Sequence, residues 1–219
     1  FFLQRNLVPT RTCSASRMSS VVFFLVMTSL LLTSSLAFKS TSRAFRPLRS
    51  TMTMIAAGST TPSGMVDIIS PSAGEYTTEA GVDFADALKS HKKAVIFAVP
   101  GAFTPTCSEK HLPGFIANAA AMKAKGVTAI FCLSVNDKFV MKSWGQATAG
   151  FAESGIKLVA DGNADYTKAI DLVLNASGNR MGLRCTRFAG IVEDGVFTAV
   201  EVDSSGLDKS SAESILALL

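Results

Sequence analysis

The run KAVIFAVP, residues 93–100, constrains this chain more than any other stretch. It packs six apolar residues in succession and stops at Pro100-Gly101, too short for a helix and well suited to a buried strand. Two further runs repeat the pattern, VTAIFCLSV (127–135) and KLVAD (157–161), with helical segments between them. A helix is expected from Pro105, since Thr104 can cap it and proline favours the first helical position. Pro113-Gly114 should interrupt that helix before FIANAAAMKAK continues it to Gly126. Asn136-Asp137 should cap a helix carrying Trp144, and ADYTKAIDLVL (164–174) reads as a short helix followed by a loop at Gly178 to Gly182. CTRFAGIVEDGVFTAVEV (185–202) predicts a hairpin turning at Glu193-Asp194-Gly195. SSAESILALL predicts a closing helix with a capping box from Ser210 to Glu213. Residues 58–75, rich in Gly, Ser, Thr and Pro, read as a linker and entry loops. The expected class is α/β, a central sheet with helices on both faces, in one domain over 58–219.

Charge is distributed unevenly along the 219 residues, and the unevenness matters more than the net +4. Residues 1–57 hold seven basic side chains and no acid, leaving 14 basic against 17 acidic in the remainder. The folded part is therefore slightly acidic, which argues against a nucleic-acid partner. Four cysteines, Cys13, Cys107, Cys132 and Cys185, form no CxxC and suit neither a secreted disulfide framework nor a zinc site. Cys107 and His111 stand four apart, but no second ligand pair accompanies them.

The arm reads as an address. Its apolar core, Val21 to Leu32, has the length of a signal-peptide segment rather than of a membrane span. KSTSRAFRPLRSTMTM (39–54) follows, rich in Ser, Thr and Arg and free of acids, as transit peptides are. That order resembles the bipartite presequences of algae with plastids of secondary endosymbiotic origin, in which a phenylalanine such as Phe38 follows the signal cleavage point. Residues 1–57 are then a targeting presequence, with Met18 the expected start and residues 1–17 upstream of it. The destination is a plastid, and the mature chain has no membrane contact; secretion or another organelle is the alternative.

Cys107 falls in the first turn of the expected helix, where unpaired N–H groups and the helix dipole favour an anion. Thiolates are the reactive form of cysteine, and helix N-termini with nearby cations favour them. Thr104 lies on the same turn, and Pro100 and Pro105 stiffen the loop. These residues alone leave two readings open, a packed thiol and a nucleophile.

The wider pattern is more specific. PGAFTPTCSEKHLPGF (100–115) resembles the active-site segment of the peroxiredoxins, Pro-x-x-x-Thr-x-x-Cys, read here as Pro100, Thr104 and Cys107. The longer form points to the type II, peroxiredoxin-5-like, atypical 2-Cys branch. FCLSVNDKFVMKSW, LVADGNADYTKAIDL, RFAGIVEDG and SSAESIL continue the likeness in order through residues 65–219. The resemblance implies a thioredoxin-like fold, with a central mixed β-sheet flanked by helices, and a peroxidase needing no metal or prosthetic cofactor. It implies that Cys107 is the peroxidatic cysteine, passing through sulfenic acid, that Thr104 binds thiolate or peroxide, and that Pro100 shields the sulfur. Arg187 would stabilise the charge that moves onto the peroxide oxygens.

By the same resemblance Cys132, in CLSVND, matches the resolving cysteine, able to form an intramolecular disulfide with Cys107; its strand position equally suits a packed thiol, with glutathione then resolving the sulfenic acid directly. Cys185 departs from the family pattern, where serine is common. On a strand it would share a face with Arg187 and point toward the site, open to a disulfide or glutathionylation, but a packed thiol is the favoured reading. His111 reads as a loop-ordering hydrogen-bond partner and Trp144 as packing. The implied substrates are hydrogen peroxide and alkyl hydroperoxides, in the service of cell redox homeostasis. The implied reductants are glutaredoxin with glutathione, then thioredoxin, and the assembly a homodimer packed through the active-site side. Two other classes share the pattern: a non-catalytic thiol redox sensor or oxidation-dependent chaperone, and a secreted protein that only retains the fold.

Overall fold

The computed structural model describes residues 54–72 and 75–219, so the presequence expectation falls outside the described residues up to residue 53. The strands are β1 (Met65–Ser72), β2 (Glu75–Asp83), β3 (Lys93–Ala98), β4 (Ala129–Ser134), β5 (Lys157–Ala160), β6 (Val173–Asn175), β7 (Leu183–Cys185), β8 (Phe188–Glu193) and β9 (Val196–Val202). The α-helices are α1 (Phe84–Lys89), α2 (Leu112–Ala124), α3 (Lys138–Ala147), α4 (Phe151–Ser154), α5 (Asp165–Ala169) and α6 (Ala212–Leu218).

Seven strands form one mixed sheet in the order β2-β1-β5-β4-β3-β8-β9, and β6 pairs with β7 apart from it. The central strands β3, β4 and β5 run parallel, as buried apolar runs joined by helices should. Side chains along them alternate between two cores. Val95, Phe97, Ile130, Cys132, Leu158 and Ile191 face the cluster under α2, α3 and α6. Ala94, Ile96, Phe131, Val159, Phe188 and Val192 face the cluster shared with α1 and α5. On the first side the Phe97 and Phe115 rings stack 3.8 Å apart, fixing α2 over the middle of the sheet. Gly145 lets α3 come close to the sheet, because a Cβ there would stand 2.9 Å from Leu158.

Several expectations change. The stretch read as a linker contains the strand β1, paired to β2 on one side and β5 on the other. Its Ser70, Pro71 and Ser72 lie beyond the residues paired with β5, so only β2 borders them and a proline is tolerated. Packing also begins upstream of residue 58: Ile55 is buried, and its N–H donates to the Ile170 carbonyl. Asp137 caps α3 as expected, accepting from the N–H groups of Phe139 and Val140. α6 is capped by Ser211 and not Ser210, because the Ser210 hydroxyl is already committed to Asp203 at 2.6 Å. The loop expected around residues 178–182 is the tip of a β6–β7 hairpin.

Candidate active site

The loop leaving β3 is held from both ends. Val99 donates its N–H to the Leu133 carbonyl and accepts from the Ser134 hydroxyl at 3.3 Å. Asn136 Oδ1 accepts from the Ala102 N–H at 3.0 Å and from Ser134 Oγ at 2.8 Å. Ser134 and Asn136 of the SVND motif are thus a clamp on the loop, a role their polar character hints at but whose partner lies over thirty residues away. Arg184 braces the opposite wall, donating to the Val135 and Met181 carbonyls. Phe103 adopts a left-handed backbone, φ 61°, and leaves its ring 55% exposed. Such a conformation costs on the order of 1 kcal/mol or more and persists only where the surroundings enforce it.

The chain turns helical at Pro105, as expected, and stays helical to Ala124. The interruption expected at Pro113-Gly114 takes the form of a π turn over Cys107–His111, where the Leu112 N–H reaches back to the Cys107 carbonyl. Proline has no N–H for the usual bond, and one extra residue per turn accommodates its ring without breaking the helix. The Thr104 side chain does not cap the helix: its hydroxyl donates to the Gly101 carbonyl at 2.8 Å, and only its carbonyl joins the helix, accepting from Ser108. The Ser108 hydroxyl is fixed by the Trp144 indole N–H at 3.0 Å, so Trp144 packs as expected and also steadies the turn beside Cys107.

At the centre, Cys107 is fully buried, and Arg187 Nη2 donates to its sulfur at 3.4 Å. Arg187 is itself only 8% exposed and is held at its other terminal nitrogen, Nη1, by His111 Nδ1 at 2.9 Å. His111 Nε2 faces the Ser210 carbonyl at 2.9 Å. Burial pushes the imidazole down to about 4 and outweighs the raising effect of the Ser210 contact; the Arg187 charge acts the same way as burial. His111 therefore stays neutral, and a buried guanidinium is aimed at a buried sulfur across eighty residues of sequence. A nucleophile with a cation in hydrogen-bond reach, in a water-poor setting, is equipped for attack on a neutral, polarisable bond.

Pro100 and Thr104 are half-buried in the loop beside this centre. Cys132 lies on β4 within the same apolar cluster as Cys107, opposite Phe97 and Leu158 in the sheet. Burial raises its thiol well above the ordinary range. Cys185 is not beside Arg187. The chain leaves the strand at Thr186, whose N–H bonds the Leu172 carbonyl, and the two-residue periodicity is lost between 185 and 187. Cys185 consequently joins the cluster on the far side of the sheet, which removes it from the site as a disulfide or glutathionylation partner. Among the described residues no three His, Cys, Asp or Glu side chains gather as metal ligands would.

A redoxin family profile matches residues 57–216. Peroxiredoxin-2E-2, chloroplastic, of Oryza sativa subsp. japonica is 44% identical over 168 residues, 75% of this chain and 72% of that protein. Peroxiredoxin-2B of Arabidopsis thaliana is 41% identical over 169 residues, 77% of this chain and 100% of that one. Among solved structures, reduced Prx3 in complex with H2O2 from Vibrio vulnificus superposes with a TM-score of 0.65 at 42% identity, covering 75% of this chain and 99% of that chain.

Proposed function

This chain belongs to the redoxin family and is a peroxiredoxin, a thiol-dependent peroxidase with a thioredoxin-like fold, and on that premise we propose that Cys107 is the residue peroxide oxidises. Its thiolate attacks one oxygen of the O–O bond in line. The S–O bond forms as the O–O bond breaks, sulfur becomes sulfenic acid, and the second oxygen leaves as hydroxide or alkoxide, taking back from solvent the proton the thiol gave up and ending as water or an alcohol. The observation that carries this reading is the Arg187 guanidinium donating to the Cys107 sulfur at 3.4 Å. That cation holds the thiolate and then takes up the charge developing on the departing oxygen. Thr104, its proton committed to Gly101, keeps lone pairs that accept from the peroxide O–H. Pro100 shields the sulfur from water and brings no N–H of its own.

The reading extends to the type II, peroxiredoxin-5-like branch, with hydrogen peroxide and alkyl hydroperoxides as substrates. Cys132 resolves the sulfenic acid, and its full burial means that the Cys107 turn must first unwind. Glutaredoxin with glutathione reduces the product, with thioredoxin as second donor. Exposed Phe103 and Leu183, on the loop and hairpin around the site, are suited to the face of a homodimer. The acid-free arm, together with relatives that are named chloroplastic, supports a presequence that ends ahead of the packed residue Ile55 and a plastid destination.

The test is peroxide consumption by the full chain with glutathione and glutaredoxin, or with thioredoxin, beside Cys107→Ser. Turnover that vanishes in the variant is expected. No turnover with either donor overturns the assignment of substrate and donor and leaves Cys107 a sensor thiol. A Cys107–Cys132 linkage should appear by mass spectrometry after one equivalent of peroxide; its absence removes Cys132 from the cycle.

A further inference from the structure

A second buried polar chain stands behind the thiol and its arginine. His111 is 1% exposed, with the rings of Phe97 and Phe115 at centroid distances of 5.1 and 5.5 Å. A ring so enclosed must satisfy both nitrogens from the protein. The Ser210 carbonyl can only accept, so Nε2 carries the proton, and Nδ1 then offers a lone pair to Arg187, which can only donate. The two partners dictate the tautomer.

Ser210 is fixed in turn. The Asp203 carboxylate accepts from the N–H groups of Asp208, Lys209 and Ser210 at 3.2, 2.8 and 3.3 Å, and from the Ser210 hydroxyl at 2.6 Å. The Asp203 N–H donates to the Arg187 carbonyl at 3.0 Å. The turn 203–210 is thereby closed both on itself and on the segment that bears Arg187. Asp203 is buried, and these bonds hold its carboxyl below the ordinary range against the opposing effect of its burial.

We propose that His111 is a positioning residue of the peroxidase reaction, transmitting the fixed placement of the Asp203–Ser210 turn to the Arg187 guanidinium and so setting how Arg187 meets the Cys107 sulfur. This rests on the roles given above to Cys107 and Arg187. The physical case is the cost of order. A free arginine side chain gives up much of its rotamer freedom when held. One bond at Nη1 fixes the guanidinium plane and leaves Nη2 aimed at sulfur. The charged groups that bear on the ring are Arg187 and Asp203, and the net effect keeps it a neutral acceptor above about pH 4. The C-terminal turn, which touches no reacting atom, becomes part of what tunes the thiol.

The test compares His111→Phe and His111→Gln in the full chain, each alone and combined with Arg187→Met. Two quantities are read, kcat/KM for hydrogen peroxide and the pH profile of Cys107 alkylation by iodoacetamide. His111→Phe keeps ring shape without hydrogen bonds; it should lower kcat/KM about tenfold and move the alkylation profile to higher pH. His111→Gln retains one donor and one acceptor and should recover most of that loss. In the Arg187→Met background neither substitution should matter further. An unchanged His111→Phe enzyme, a Gln variant no better than Phe, or an equal loss in both backgrounds would overturn the proposal. If His111→Phe does not fold, Asp203→Asn decides: a loss of about threefold confined to the Arg187 background supports it, and wild-type kinetics contradict it. Failure of the underlying reading is visible separately, as peroxide turnover in Cys107→Ser or undiminished turnover in Arg187→Met.

Discussion

Cys107 and Cys185 are equally buried, and they sit on opposite sides of one sheet. On one side the sulfur meets the Arg187 guanidinium. On the other it sits in an apolar cluster with Phe84 and Tyr166, and burial pushes the thiol up to about 12, with the Asp161 charge acting the same way. Burial by itself thus says nothing about reactivity. What differs is the cation: Arg187, just ahead of β8, stands within hydrogen-bond reach of Cys107.

The sharpest way to break this contrast is to exchange the sulfurs for oxygen one at a time. Cys107→Ser should lower peroxide turnover by at least about a thousandfold, whereas Cys185→Ser should leave kcat/KM within about twofold; comparable losses would erase the distinction. The two sides should also fail at opposite ends of the pH scale. His111 titrates at about 4 in the folded chain against 6.5 as a free side chain, so the unfolded state binds more protons between those values. Stability should be full above pH 6.5 and fall by about 3 kcal/mol as pH drops to 4, as read by urea unfolding. His111→Gln should flatten that slope, and an unchanged slope would show that other groups carry it.

Removing the cation is a slightly smaller change. Arg187→Met should lower kcat/KM about a hundredfold, in the range seen when one charge-stabilising donor is lost, and should narrow the difference in alkylation rate between Cys107 and Cys185. At the alkaline end Cys185 titrates at about 12 when folded and 9.0 when free. Its raised value contributes stability that is whole below pH 9 and lost as pH climbs toward 12, about 2 kcal/mol by pH 10.5. The alkaline slope of Cys185→Ala should be shallower than that of the wild type; identical slopes would assign the loss to other buried groups such as Tyr166.

Much of the site was legible because it is local or carried by motif. Pro100, Thr104 and Cys107 fall within eight residues, and the apolar runs that became β3, β4 and β5 announce themselves by composition. What escaped depends on where the chain goes next. β1 hid in a Ser- and Pro-containing stretch because it pairs through its backbone, which composition does not record. Two-residue periodicity would set Cys185 beside Arg187, but the break at Thr186 voids that premise and leaves Cys185 a packed thiol. His111 and Ser210 are 99 residues apart, so only the folded chain reveals that their hydrogen bond stands behind Arg187. Pro113-Gly114 predicts a disturbance of the helix, but not that it takes the form of a π turn over Cys107–His111.

The central claim, that Cys107 is armed and the equally buried Cys185 is not, is tested most directly by adding one equivalent of hydrogen peroxide to the reduced Cys132→Ser full chain, in which no resolving thiol competes, without donor, trapping sulfenic acid with dimedone and mapping the adduct. Dimedone on Cys107, with none on Cys185, is the predicted result; an unmodified Cys107, or adducts of similar yield on both, would contradict it.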